Sequence, residues 1–201
     1  LVTGLTLRQV SDQTVKMFAE AYEINKRLMG ENPALEEMMK AVTPEMLMRM
    51  LPAGFVVGSL FVAWLNYEVV RRVLPRFGYT AHALRPFSRW IMPELAGHAW
   101  ILAFVALQLH PFYAERFPFL PAVVENVFFM ALVTLLLDAA SVLCFFLRGS
   151  GLSAGMSGFF TIIAISMAFT SPLLGLGAQI FGMIDVLFDL RKVRYPELVD
   201  R

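Results

Sequence analysis

The sequence predicts an all-α, polytopic helical membrane protein, with about five transmembrane helices preceded by amphipathic helices. Three observations carry that expectation. Of 201 residues, 58% are hydrophobic and 16% charged, at a mean hydropathy of +0.63, whereas soluble domains sit near 45–50% apolar and about 25% charged. The apolar residues gather into runs of bilayer length. Those runs are bracketed by arginines, the pattern that fixes helix ends at a membrane surface. Formal charge is nearly balanced at +1, so there is no clustered basic face of the kind that binds nucleic acid, and no nucleic-acid partner is expected.

Residues 1–50 read as an amphipathic helical region. Val10, Met17 and Ile24 lie seven apart and interleave with Thr14, Ala21 and Leu28, a narrow seam along a surface helix. Gly30 and Pro33 end that helix, and Leu35, Met38, Met39 and Val42 mark a second, short one. Thr43 and Pro44 read as the N-cap and first residue of a third, whose Met46, Leu47 and Met50 lead into the membrane. The chain opens on Leu1 rather than Met and shows no charged n-region followed by an apolar stretch. No signal peptide is visible, and further N-terminal sequence, with room for more spans, is expected.

The transmembrane domain is expected over residues 51–195, with a tail at 196–201. Its first span covers about 51–70, a length that rises roughly 30 Å as a helix. The stretch Leu74 to Glu94 is too basic and too broken by Pro75, Pro86 and Pro93 to cross lipid; it is expected along the interface, with Tyr79 and Trp90 at headgroup level. Further spans are expected at 95–113 and 121–147, the latter long enough to tilt. Four glycines between Arg148 and Gly158 predict a mobile turn there, because glycine holds a helix at a cost. Residues 159–190 form either one kinked helix or two short ones. Basic groups follow span one (Arg71, Arg72, Arg76), span three (Arg148) and the end (Arg191, Lys192, Arg194). Keeping all of them in the cytoplasm requires a hairpin at Ser171-Pro172, with spans at 156–170 and 174–190. The first fifty residues then lie outside, although their six basic and seven acidic side chains give no bias of their own.

Polar residues inside spans identify candidate sites, since a carboxylate near a helix centre costs on the order of 2.5–3.5 kcal/mol on insertion scales. Asn66, Asp138, Gln179 and Asp185 are the four. Asn66, Asp138 and Asp185 fall in the cytoplasmic half of the expected topology and are candidates for one polar, substrate-binding pocket. The competing reading has Asp138 bonded to Ser141, and Asp185 and Asp189 reaching Arg148 and Arg191, as interhelical bonds worth about 0.6 kcal/mol each. Glu68, Glu125 and Asn126 lie near span ends, within snorkelling reach of the interface. Gly54 and Gly58, continued by Ser59 and Ala63, form a GxxxG-type helix-packing face whose partner the spacing does not identify.

No cofactor, metal or catalytic set is expected. His98 and His110 lie twelve apart, His82 falls in the interfacial stretch, and no HExxH is present. Gly175-Leu176-Gly177 is followed by Ala178 where the GxGD of membrane aspartyl proteases needs Asp. Gly149 to Gly158 lacks the GK[ST] of a P-loop. The lone Cys144 sits in an apolar run and reads as a buried hydrophobe.

Particular residues carry a family resemblance. Pro52 to Tyr67 ending in Leu65-Asn66-Tyr67, then Arg71-Arg72, Phe77-Gly78 and Arg85-Pro86-Phe87 with Trp90 and Pro93, look like the bacterial YybS-like membrane proteins. The ending Gly182-Met183-Ile184-Asp185 with Phe188-Asp189-Leu190-Arg191 resembles that family's C-terminal pattern. The likeness covers roughly residues 45–195. It departs at Asp138-Ala139, where Gln-Gly would be expected. The family is distantly similar to the S components of energy-coupling-factor transporters. The resemblance therefore implies additional N-terminal helices, a small-solute pocket and an ATPase-driven transport module as partner, by analogy of fold. The leading expectation is a non-enzymatic transport or solute-binding component of the bacterial inner membrane, with the lipid bilayer and a helix-packing membrane partner around it. A scaffold or assembly subunit, docking a partner through residues 10–50, is the alternative.

Overall fold

A computed structural model describes residues 6–30, 36, 43–80, 82 and 84–194, and every regular element among them is helical. The chain divides into two units, Leu1–Phe55 and Val56–Arg201.

In the first unit, α1 (Leu7–Met29) starts at a capping box in which the Thr6 hydroxyl and the Gln9 side chain each satisfy the other's backbone N–H. Gly30 ends it at φ +87, its N–H donating to the Lys26 carbonyl. The expected seam faces outward: Val10, Met17 and Ile24 are 43%, 64% and 58% exposed, while Ser11 is buried and Thr14, Val15 and Tyr22 are half-buried. Counting apolar side chains missed this because Ser11 satisfies its own hydroxyl on the Arg8 carbonyl at 2.9 Å and can turn inward at little cost. The second amphipathic helix, expected at Leu35 to Val42, lies outside the described residues apart from Glu36. Next comes α2 (Pro44–Val73), capped by the Thr43 hydroxyl, which accepts from the Met46 N–H at 3.2 Å. Its 30 residues rise about 45 Å, and the boundary between the units falls inside it.

The second unit continues α2 into a 3₁₀ turn, Leu74–Phe77, closed by Gly78 at φ +80. A second 3₁₀ turn, Phe87–Arg89, precedes α3 (Leu95–Gln108) and the single turn α4 (His110–Tyr113). Then follow α5 (Leu120–Gly149), α6 (Ala154–Thr170), α7 (Pro172–Phe188) and α8 (Leu190–Arg194). Among the described residues, two stretches are long and apolar enough to cross a membrane, Pro44–Phe77 and Leu120–Gly149. Leu95–Gln108, Ala154–Thr170 and Leu173–Phe188 are apolar but shorter.

Around α5 the unit builds a bundle in which α3, α6 and α7 each pack on it. Its core joins Ala96 and Trp100 of α3, Ala131 and Leu135 of α5, and Val186 of α7. Trp100 stacks on Phe104 with ring centroids 5.3 Å apart and leans on Phe128 of α5. The pairs Phe128–Trp100 and Asp138–Met92, the second just ahead of α3, give α3 the opposite direction to α5, because partner numbers fall as those in α5 rise. Ser171, at φ −124 and ψ 115, breaks the final segment into two helices, and its hydroxyl caps α7 through the Leu174 N–H. A side chain at Gly175 would meet the Ala168 carbonyl oxygen at 2.7 Å, a proximity that a continuous helix seven residues long would not allow. At Gly182 it would be driven into the Leu135 carbonyl oxygen, so α7 lies directly on α5.

The glycine-rich link is shorter than expected. Gly149 closes α5, Gly155 and Gly158 are helical within α6, and only Gly151 among the four takes a left-handed φ, +88. Ser153 caps α6 by accepting from the Met156 N–H, and tertiary packing then offsets the helix cost of the two glycines.

Candidate functional site

The site begins with Asp138 and Ser141, one turn apart on the buried face of α5, and with Asp185 near the end of α7. What joins them is Arg191. Asp189 ends α7 in the left-handed region at φ 49 and ψ 66, and its carboxylate then accepts from the Lys192 N–H at 3.1 Å, capping α8. That reversal sends the Arg191 side chain back between α7 and α5. Its Nη2 donates to Asp185 Oδ2 at 2.6 Å and to Asp138 Oδ1 at 3.2 Å. Its Nη1 donates to the Trp90 carbonyl at 2.6 Å and to Ser141 Oγ at 3.0 Å.

The 3₁₀ turn at Phe87–Arg89 closes the site from the side. Ser141 Oγ lies 2.7 Å from the Phe87 carbonyl and 2.9 Å from that of Trp90, while the Met92 N–H donates to Asp138 Oδ1 at 3.2 Å. Ser88 is buried beneath Arg148, which donates to its hydroxyl at 3.3 Å. Asp138, Ser141, Asp185 and Arg191 are all at most 2% exposed. Asp138 Oδ2, Asp185 Oδ1 and Arg191 Nε have no hydrogen-bond partner among the described residues. Two carboxyl groups thus confront one guanidinium and lie within hydrogen-bonding reach of each other.

The structure brings Asp138 and Asp185 together and leaves the other two candidates elsewhere. Gln179 sits two turns earlier on α7, where its carbonyl oxygen accepts from the Trp100 indole N–H at 3.0 Å. Asn66 is exposed on α2 and takes no part in the cluster. Near it the Tyr67 hydroxyl donates to the His82 carbonyl. Gly54 and Gly58 are exposed, and no described atom lies within 4 Å of where a Cβ on either would sit. The close helix approaches fall instead at Gly175 and Gly182.

Asp185 reaches Arg191, as the competing expectation of ion pairing had it, while Asp138 joins the same guanidinium instead of bonding Ser141. Arg148 goes to Ser88 and Asp189 to backbone. The second half of the stretch Leu74 to Glu94 folds onto α5, and Trp90 is half-buried with its indole N–H on the Arg85 carbonyl. Three apolar residues enter the site through backbone groups alone, at Phe87, Trp90 and Met92, and no side-chain pattern announces such contacts. Arg191 lies six residues after Asp185, a spacing that points away on an unbroken helix. The break at Asp189 is what turns Arg191 back onto Asp185.

No group of three or more His, Cys, Asp or Glu side chains arranged to hold a metal occurs among the described residues. Chemically, the arrangement can hold a cation, and Arg191 supplies one. No curated protein and no solved structure matches the chain. A family model described as a predicted membrane protein family, DUF2232, matches residues 1–186. The chain belongs to that family of predicted membrane proteins.

Proposed function

We propose that the chain is a multi-pass, non-enzymatic component of the bacterial inner membrane that binds or transports a small solute at the Asp138–Asp185 cluster. The observation that carries this reading is a pair of carboxyl groups buried together in an apolar bundle beside a single guanidinium. Burying two such groups is costly unless something compensates them. The sequence resemblance to YybS-like proteins, and distantly to S components of energy-coupling-factor transporters, supports the same reading and implies an ATPase-driven partner. Five crossings follow if α3, α6 and α7 join the two longer apolar stretches in the bilayer, tilted or within a locally thinned one.

The test is a thermal-shift screen of metabolites and vitamins on the full-length protein in detergent. A solute that raises the melting temperature of the wild type should do so less for Asp138→Asn, whose own melting temperature stays within a few degrees. A uniformly flat screen counts against transport. One observation favours the scaffold reading: Asp138, Asp185 and Arg191 are closed off from solvent and mutually paired, as a helix lock would be. On that reading the exposed apolar seam of α1 is the docking element, and deleting residues 10–50 abolishes recovery of a bound partner.

A further inference from the structure

We infer that the Asp138–Asp185 site is a receptor for a guanidinium or ammonium group, and that Arg191 is its built-in occupant, held on the hinge at Asp189. The inference rests on the reading of this cluster as the solute site and names the chemistry of what it takes. The elements forming the receptor belong to α5, α7 and the Phe87–Met92 segment: two carboxylates, the Ser141 hydroxyl and the Phe87 and Trp90 carbonyls. All of these groups can accept a hydrogen bond, which is what a multi-donor cation requires. The cation now bound there does not belong to those elements. It arrives on α8, a five-residue helix joined to α7 through a single left-handed residue. Arg191 Nη1 and Nη2 are both used, while its Nε has no hydrogen-bond partner among the described residues. The tethered guanidinium therefore fills the site with one of its donors unsatisfied. Movement about Asp189 would carry Arg191 out with α8 and leave every receptor group in position, since none of them is on α8. A free cationic solute would then replace the tethered one, and Arg191 would compete with it at the high local concentration that a short tether confers.

The experiment uses the full-length protein in detergent and reads melting temperature. Arg191→Ala should melt lower by on the order of 5–10 °C, because it leaves two buried carboxylates uncompensated. Low-millimolar methylguanidinium or methylammonium chloride should recover most of that loss, and equal sodium chloride should not. The wild type, already occupied, should gain nothing from either. Combining Arg191→Ala with Asp138→Asn should remove the response. If Arg191→Ala does not fold, Arg191→Gln, which keeps volume and an amide donor, is read in the same way. No recovery by either cation, or equal recovery in sodium chloride or in the Asp138→Asn background, overturns the inference. A cation response in Arg191→Ala beside a flat metabolite screen on the wild type would keep the receptor chemistry and remove the transport reading.

Discussion

At Arg191 one side chain satisfies two carboxylates, a hydroxyl and a backbone carbonyl while remaining only 2% exposed. Such a cluster depends on its one cation: removing Arg191 leaves both carboxyl groups buried without a counter-charge, at about 3–5 kcal/mol, whereas replacing all of them with neutral groups of similar volume is often close to neutral. Arg191→Met alone should therefore destabilise the protein strongly. Adding Asp138→Asn and Asp185→Asn should recover much of the loss, and denaturation in mixed micelles would measure both. If the triple variant is as unstable as the single one, the carboxylates are not what makes the single change costly. Ser141→Ala removes the hydroxyl from two carbonyls and from Arg191, and should cost about 1–3 kcal/mol in the same assay. The two aspartates were legible as candidates because carboxylates in apolar runs are conspicuous. Their partner was only a possibility among several, since its approach depends on the φ of Asp189, which no residue spacing encodes.

Helix ends and helix contacts differ in how plainly the sequence writes them. Thr43, Ser153 and Ser171 each cap a helix with a side-chain oxygen, and Gly30 and Gly78 stop elements at positive φ, so local chemistry marks these boundaries within a few residues. Close packing is a tertiary property, and the GxxxG spacing of Gly54 and Gly58 meets no close neighbour among the described residues. The isolated Gly182 is where α7 meets α5 backbone to backbone. Gly182→Ala should accordingly force α7 off the Leu135 carbonyl, a shift that costs about 1–3 kcal/mol, while Gly58→Ala should leave the melting temperature unchanged or slightly higher, since alanine favours helix. Thermal unfolding of the two variants side by side decides it: equal effects would mean that α7 does not bear on α5 as closely as the geometry requires. The inward Ser11 and the helical Gly155 and Gly158 follow the same logic, because burial and packing override propensities of a few tenths to one kcal/mol.

Over the second unit as a whole, direction along the bundle makes the charge pattern coherent. Residue pairs rise together along α5 and α7, from Leu135 beside Gly182 to Asp138 beside Asp185, so those two helices run in parallel. Because α6 connects them and packs on both, it returns in the opposite direction. Arg148 at the end of α5 and Arg191 just beyond α7 consequently reach the same short segment, at Ser88 and Trp90. Lys192 follows directly, exposed, at that end. Loops rich in Lys and Arg remain in the cytoplasm, so this end should face inward, and the ends at Glu115 and Thr170 outward. Single cysteines placed at Glu115, Ser150, Thr170 and Lys192 in a Cys144→Ser background would test that arrangement with a membrane-impermeant maleimide. The exposed positions Glu115→Cys and Thr170→Cys should label in intact spheroplasts, whereas Ser150→Cys and Lys192→Cys should label only after permeabilisation. Labelling of Ser150→Cys and Thr170→Cys from the same side would mean that α6 does not cross, leaving the bundle fewer spans than its parallel α5 and α7 demand.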